Sequence, residues 1–168
     1  MKTDSLIVNL ISVCLLWLIT MACHPNRSGK NGKELTFPTN LAVIEPSGSI
    51  KFDSSWIDSK YKVVVFIEKA GPHSTMELDW QTTISENKNV AFLFYVSEKD
   101  SARLVKHMKE VNFSHPVLWD PDKKFYKSNI IENNLSFISF LVREDRIIEM
   151  GNPTIPNFQE RLDELTKE

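Results

Sequence analysis

Apolar residues along this chain follow two rhythms. Tyr61 to Glu68 (YKVVVFIE) and Asn89 to Ser97 (NVAFLFYVS) are nearly continuous β-branched and aromatic runs, which predict strands buried on both faces. Elsewhere the period lengthens. From His73 to Asn87, Met76, Trp80, Thr83 and Ile84 recur at helical spacings with Leu78 beside them, which predicts one helix. Gly71-Pro72 breaks the chain ahead of it. Ser74 or Thr75 can cap its start, and Glu77 follows Ser74 in the capping-box pattern. Asp100 to Val111 predicts a second helix with Leu104, Val105, Met108 and Val111 on one face, which leaves His107, between Lys106 and Lys109, in solvent.

The remaining segments are shorter. Glu34 to Asp53 alternates loosely around Pro46-Ser47-Gly48 and predicts two short strands. His115 to Asp120 is extended, and Asp122 to Asn129 is a brief helix. Ser136 to Val142 and Arg146 to Met150 flank the polar turn Arg143-Glu144-Asp145 as a hairpin does, and Gly151-Asn152-Pro153 ends it. Pro156 to Lys167 predicts a last helix with Phe158, Leu162 and Leu165 inward. Strands alternating with helices imply right-handed crossovers, and the closing hairpin adds antiparallel members. The expected fold is a three-layer α/β sandwich with a central mixed sheet.

The N-terminus has a different pattern. Lys2 precedes an apolar run from Leu6 to Ala22, and Thr20, Met21 and Ala22 lead to Cys23. These residues resemble a bacterial lipoprotein signal, in which cleavage precedes a cysteine whose sulfur becomes a diacylglyceryl thioether. Thr20 departs from the leucine more usual there. An uncleaved anchor is the alternative, although the run is short of the ~20 residues that a span needs. His24 to Lys33 (HPNRSGKNGK) is polar and rich in turn formers, as a flexible tether is. The expected organisation is a signal peptide over 1–22, a lipid-anchored Cys23 with a tether over 23–33, and one folded domain over 34–168.

Composition narrows the chemistry. The net charge is −2 and the charges are interspersed, so there is no electrostatic case for a nucleic-acid partner. The two cysteines are Cys14, inside the apolar segment, and Cys23. Beyond Cys23 the chain has no sulfur for a disulfide, a cysteine metal site or a thiolate nucleophile.

The order and lengths of the elements over 34–168 resemble the thioredoxin-like fold, closest to the thioredoxin-like lipoproteins of the Bacteroides group. Peroxiredoxin-type and membrane-tethered thiol oxidoreductases are more distant. In that family a Cys-x-x-Cys opens the first helix after the first core strand, and a tryptophan follows about a turn later. Aligning on Trp80 places Pro72, His73, Ser74 and Thr75 at the active-site position, with Pro72 and Thr75 where the cysteines stand. The family's cis-proline position, just before Ser139, holds Ile138. A non-proline cis bond costs roughly 2.5–4 kcal/mol, so a trans loop of altered shape is expected.

Other constellations were weighed against plainer roles. The helix start with His73, Ser74, Thr75 and Glu77 suits an anion or peptide carboxylate, or simple capping. His73 and Glu77, four apart, suit a metal or a solvent-facing pair. His115 is a further histidine that the same end of the sheet can reach. Ser74, His73 and Asp120 offer serine-hydrolase residue types, but adjacent residues rarely reach that geometry and no G-x-S-x-G elbow is present. Trp56, Trp80 and Trp119 fall at core spacings. No metal site and no cofactor are expected. The sequence reads as a membrane-anchored envelope lipoprotein with a degenerate, redox-inactive site that binds an envelope protein or peptide, rather than as an enzyme. One alternative is a thiol-disulfide oxidoreductase relative, of electron-transfer or peroxidase type, working through Cys23 or a partner's cysteines. The other is a metal-delivery module.

Overall fold

The computed structural model describes residues 32–46, 48, 50–129, 138–151 and 154–167. The expected signal peptide, Cys14, Cys23 and the expected tether up to Asn31 lie outside them. So do Ser47, the stretch 130–137 and the Asn152-Pro153 stop.

Six strands form one sheet. They are β1 (Ala42–Ile44), β2 (Tyr61–Ile67), β3 (Ala91–Val96), β4 (Val117–Trp119), β5 (Ile138–Arg143) and β6 (Arg146–Gly151), in the order β1-β4-β3-β2-β5-β6. β2, β3 and β4 are parallel neighbours, while β1, β5 and β6 join antiparallel. Among the described residues four α-helices accompany them: α1 (Trp80–Glu86), α2 (Ser101–Glu110), α3 (Lys124–Asn129) and α4 (Phe158–Thr166).

The two apolar runs behave as their composition requires. Val63, Val65 and Ile67 of β2 share one face with Phe92, Phe94 and Val96 of β3, packed with Trp80, Leu104, Met108, Phe158 and Leu162 of α1, α2 and α4. Val64 and Phe66, with Leu93 and Tyr95, fill the other face under Phe125 of α3 and Leu35 of the N-terminal segment. Each strand thus contributes alternate side chains to two cores. Gly151 ends β6 where α4 crosses closely. A Cβ there would stand 3.0 Å from the Phe158 ring.

Lys62 is the exception within β2. Its side chain is 1% exposed, with Nζ donating to Asp145 Oδ1 at 2.6 Å and to the Ser59 carbonyl at 2.5 Å. It also lies over the Phe37 ring. Asp145 belongs to the β5–β6 turn, whose two central residues both have left-handed backbones (Glu144 φ 49°, Asp145 φ 63°). Such turns match the twist of a hairpin and usually use glycine or asparagine. Here contacts from outside hold the turn. The Glu144 N–H donates to the Lys60 carbonyl, and the Asp145 carbonyl accepts the Leu35 N–H.

Two predicted elements differ. Of the two strands expected over Glu34 to Asp53, only Ala42–Ile44 forms. Its neighbour β4 offers three residues for pairing, and Phe52 donates its N–H to the Glu45 carboxylate instead of to a ladder. Glu34 makes a lone bridge to Arg146. The helix expected over His73 to Asn87 is in two pieces, a 3-10 turn at Thr75–Glu77 and then α1. Leu78 is extended, and the Asp79 carboxylate accepts the Thr82 N–H at 3.1 Å, capping α1 afresh.

Removing the carboxylate that faces a buried ammonium leaves the charge uncompensated. Asp145→Ala is therefore expected to destabilise the fold by about 3 kcal/mol, read as a lower urea midpoint. Adding Lys62→Met should recover much of that loss. A double variant no more stable than Asp145→Ala alone would contradict the assignment.

Candidate functional site

Because β2 and β3 are parallel and in register, Ile67 facing Val96, their carboxyl ends open onto one edge of the sheet. The loops Glu68–Ser74 and Ser97–Asp100 leave from that edge. The Ser97 N–H donates to the Ile67 carbonyl at 2.8 Å and extends the ladder past the strands. Ile138, at the start of β5, pairs with Phe66 and so belongs to the same edge. The residues ahead of it lie outside the described set, and among the described residues no peptide bond is cis.

The predicted residues Pro72, His73, Ser74 and Thr75 are brought together on the first loop. Ala70 is fully buried and roots it. The Ser74 N–H donates to the Gly71 carbonyl at 3.1 Å, closing a turn in which His73 has φ 65°. Pro72 and His73 are exposed and Ser74 is half-buried. Thr75 points inward, and its carbonyl accepts the Trp80 Nε1–H at 2.6 Å. The Arg103 guanidinium of α2 lies beside Gly71, 3.6 Å from where a Cβ would stand, which is ordinary contact.

The capping box exists only in part and one residue early. Glu77 Oε1 accepts the His73 N–H at 3.0 Å, while the Ser74 side chain makes no capping bond. His73 and Glu77 do not share a helix face, because no helix spans them. Their contact runs from backbone to carboxylate.

The Ser74 hydroxyl instead meets a residue expected in solvent. Ser74 Oγ lies 3.1 Å from His107 Nε2, and His107 is 7% exposed. His107 Nδ1 faces Glu110 Oε2 at 3.9 Å. The signal was present: His107 follows Leu104 by three and precedes Val111 by four, a place within the apolar stripe. The flanking lysines obscured it. Val105, expected inward, is only half-buried.

Asp120 is not near this arrangement in function. It is fully buried, and its two carboxylate oxygens accept the N–H groups of Lys124 and Phe125 at the start of α3. His115 also serves elsewhere. Its Nε2 bonds the Phe92 carbonyl at 3.0 Å, toward the opposite end of β3, and its ring stacks on Trp56 and meets Phe94 edge-on. Trp80 is core, and the Trp119 Nε1–H donates to the Glu98 carbonyl. A groove of about 520 Å³ is lined by Met76, Leu78, Trp80, Ile84, Phe113 and His115 among others.

No protein-family model matches the chain, and no curated protein matches it. Solved structures do. A thiol-disulfide oxidoreductase from Bacteroides fragilis is 17% identical, covering 64% of this chain and 82% of its own, with a TM-score of 0.52. A PrxQ variant from Xylella fastidiosa is 18% identical over 80% and 94%, with a TM-score of 0.56. A thioredoxin-like protein in its oxidised form is 9% identical over 80% and 93%, with a TM-score of 0.55. The chain has a thioredoxin-like α/β fold, with a mixed six-stranded sheet and four helices among the described residues.

Burial pushes His115 down to about 4 from its usual 6.5, against the opposing bond to Phe92. Between these values the unfolded chain binds the proton and the folded chain does not. Stability is therefore full above pH 6.5 and is lost as pH falls toward 4, by an amount on the order of 3 kcal/mol. Urea midpoints across this range should fall with acidity in the native protein and fall less in His115→Gln. Equal slopes would assign the loss to other groups.

Proposed function

We propose that this chain is a cell-envelope lipoprotein, held at the membrane through a lipid on Cys23, whose thioredoxin-like domain is redox-inactive and works as a binding module. The observation that carries this reading is the loop at the carboxyl ends of β2 and β3. It presents Pro72, His73 and Ser74 with Thr75 turned inward, and the chain has no cysteine beyond Cys23. A thiolate at such a position draws on free N–H groups and a helix dipole, and neither proline nor threonine supplies a comparable nucleophile or a two-electron store. What remains is an exposed Pro72-His73 tip on a rigid sheet edge, an arrangement suited to holding an envelope protein or peptide. Among the described residues no helix is long and apolar enough to cross a membrane.

The likeness to proteins named as an oxidoreductase and as PrxQ supports a second reading, a thiol-disulfide oxidoreductase relative using Cys23 or a partner's cysteines. Two measurements separate them. Full-length chain in a bacterial host should take up labelled palmitate, and Cys23→Ser should abolish that uptake and release the protein from membranes. The purified chain should reduce insulin no faster than buffer with dithiothreitol alone. A photo-crosslinker at position 73 should then capture a discrete envelope partner. Insulin reduction above background, or Cys23 found in a mixed disulfide, would favour the second reading.

A further inference from the structure

Arg103, His107 and Glu110 lie along one face of α2, where His107 meets the loop that carries Ser74. They are spaced by four and three residues, so they align along the helix. His107 Nε2 reaches Ser74 Oγ at 3.1 Å, Glu110 Oε2 stands 3.9 Å from His107 Nδ1, and Arg103 overlies Gly71. We propose that Ser74 is a nucleophile for acyl transfer from a carboxylic ester, with His107 as its general base and Glu110 as the orienting carboxylate. This goes beyond the binding role proposed for the same loop.

The roles follow from position and chemistry. When Nδ1 carries the ring proton, Nε2 accepts from the serine hydroxyl, and the Nδ1–H points to the Glu110 side. A serine bonded to a histidine whose other nitrogen faces a carboxylate is the arrangement that acyl transfer uses on unrelated folds. The 3.9 Å separation is an electrostatic contact rather than a hydrogen bond, and such contacts are often loose before substrate binds. His107 is shielded from water, whereas Ser74 is half-buried at the loop surface. The base is thus enclosed while the nucleophile stays reachable.

The chemistry balances without a further reactant except water. Ser74 Oγ attacks the ester carbonyl carbon, and its proton passes to His107 Nε2. The bond from carbon to the leaving alcohol oxygen breaks, and that oxygen takes the proton from His107. Water then attacks the acyl-serine, giving its proton to His107. The carboxylic acid leaves as Ser74 Oγ recovers the proton.

The test uses the full chain in detergent with a biotinylated fluorophosphonate, whose phosphorus a reactive serine attacks with loss of fluoride. Peptide mass spectrometry should find the label on Ser74, and Ser74→Ala should be unlabelled. His107→Gln should slow labelling and p-nitrophenyl acetate hydrolysis by about 10²-fold or more. Glu110→Gln should lower kcat about tenfold with KM little changed, and Glu110→Asp should restore most of it. Failure to label Ser74, or a folded His107→Gln that labels at the native rate, would reduce the contact to a structural tie and overturn the proposal. Should His107→Gln not fold, the exposed Glu110 decides, and an unchanged kcat in Glu110→Gln overturns it equally. Partner capture from position 73 is read independently of serine labelling, so the two proposals fail separately.

Discussion

The pairing of β2 with β3 constrains everything else in this domain. From Val63 to Ile67 and from Phe92 to Val96 every side chain is buried, so neither strand has a face to leave in water. At about 1.5–3 kcal/mol for each large side chain removed from water, this pair contributes more than any surface contact does. It can be satisfied only by a layer on each side. Helices α1, α2 and α4 supply one layer, and α3 with the N-terminal segment supplies the other. The register also fixes where the strands stop, and therefore where the loop with Pro72 to Thr75 emerges. The position of the site is a by-product of the core.

That dependence explains what the sequence made legible. A strand buried on both faces shows as an unbroken apolar run, so β2 and β3 were readable within a residue or two, and the layered order followed. The last helix was readable from Phe158, Leu162 and Leu165, all buried. Elements defined by a neighbour were less legible. β1 exists because β4 offers it three residues, and nothing local tells that Phe52 gives its N–H to the Glu45 carboxylate rather than to a strand. The split before α1 turns on one carboxylate, Asp79, whose bond to the Thr82 N–H outweighs a helical spacing that continues through it.

The site was legible in outline only. That Pro72 to Thr75 fall between the end of β2 and Trp80 was legible, because the strand end and the tryptophan are both tied to the core. The partner of Ser74 could not be placed that way. His107 sits 33 residues further on, and only the packing of α2 against the loop brings them together. The lysines beside His107 show how charge misleads: they describe the neighbouring faces of the helix, while the three-and-four spacing describes its own. This end of the loop is thus held by a side-chain contact with α2.

The buried ammonium of Lys62 has a temporal consequence. Its counter-charge, Asp145, lies 83 residues later, beyond β3, α2, β4 and α3. A nascent chain that has emerged only as far as α3 holds the apolar run of β2 together with a lysine that has no carboxylate to meet. Closing the sheet at that stage would bury a bare charge. The hairpin turn is equally dependent, since Glu144 and Asp145 adopt left-handed backbones without glycine and are held by Lys60 and Leu35. Strand and turn therefore complete each other. Synthesis from the N-terminus leaves the domain open until its final third arrives, and the strands meanwhile present an unpaired edge to whatever chaperone accompanies them.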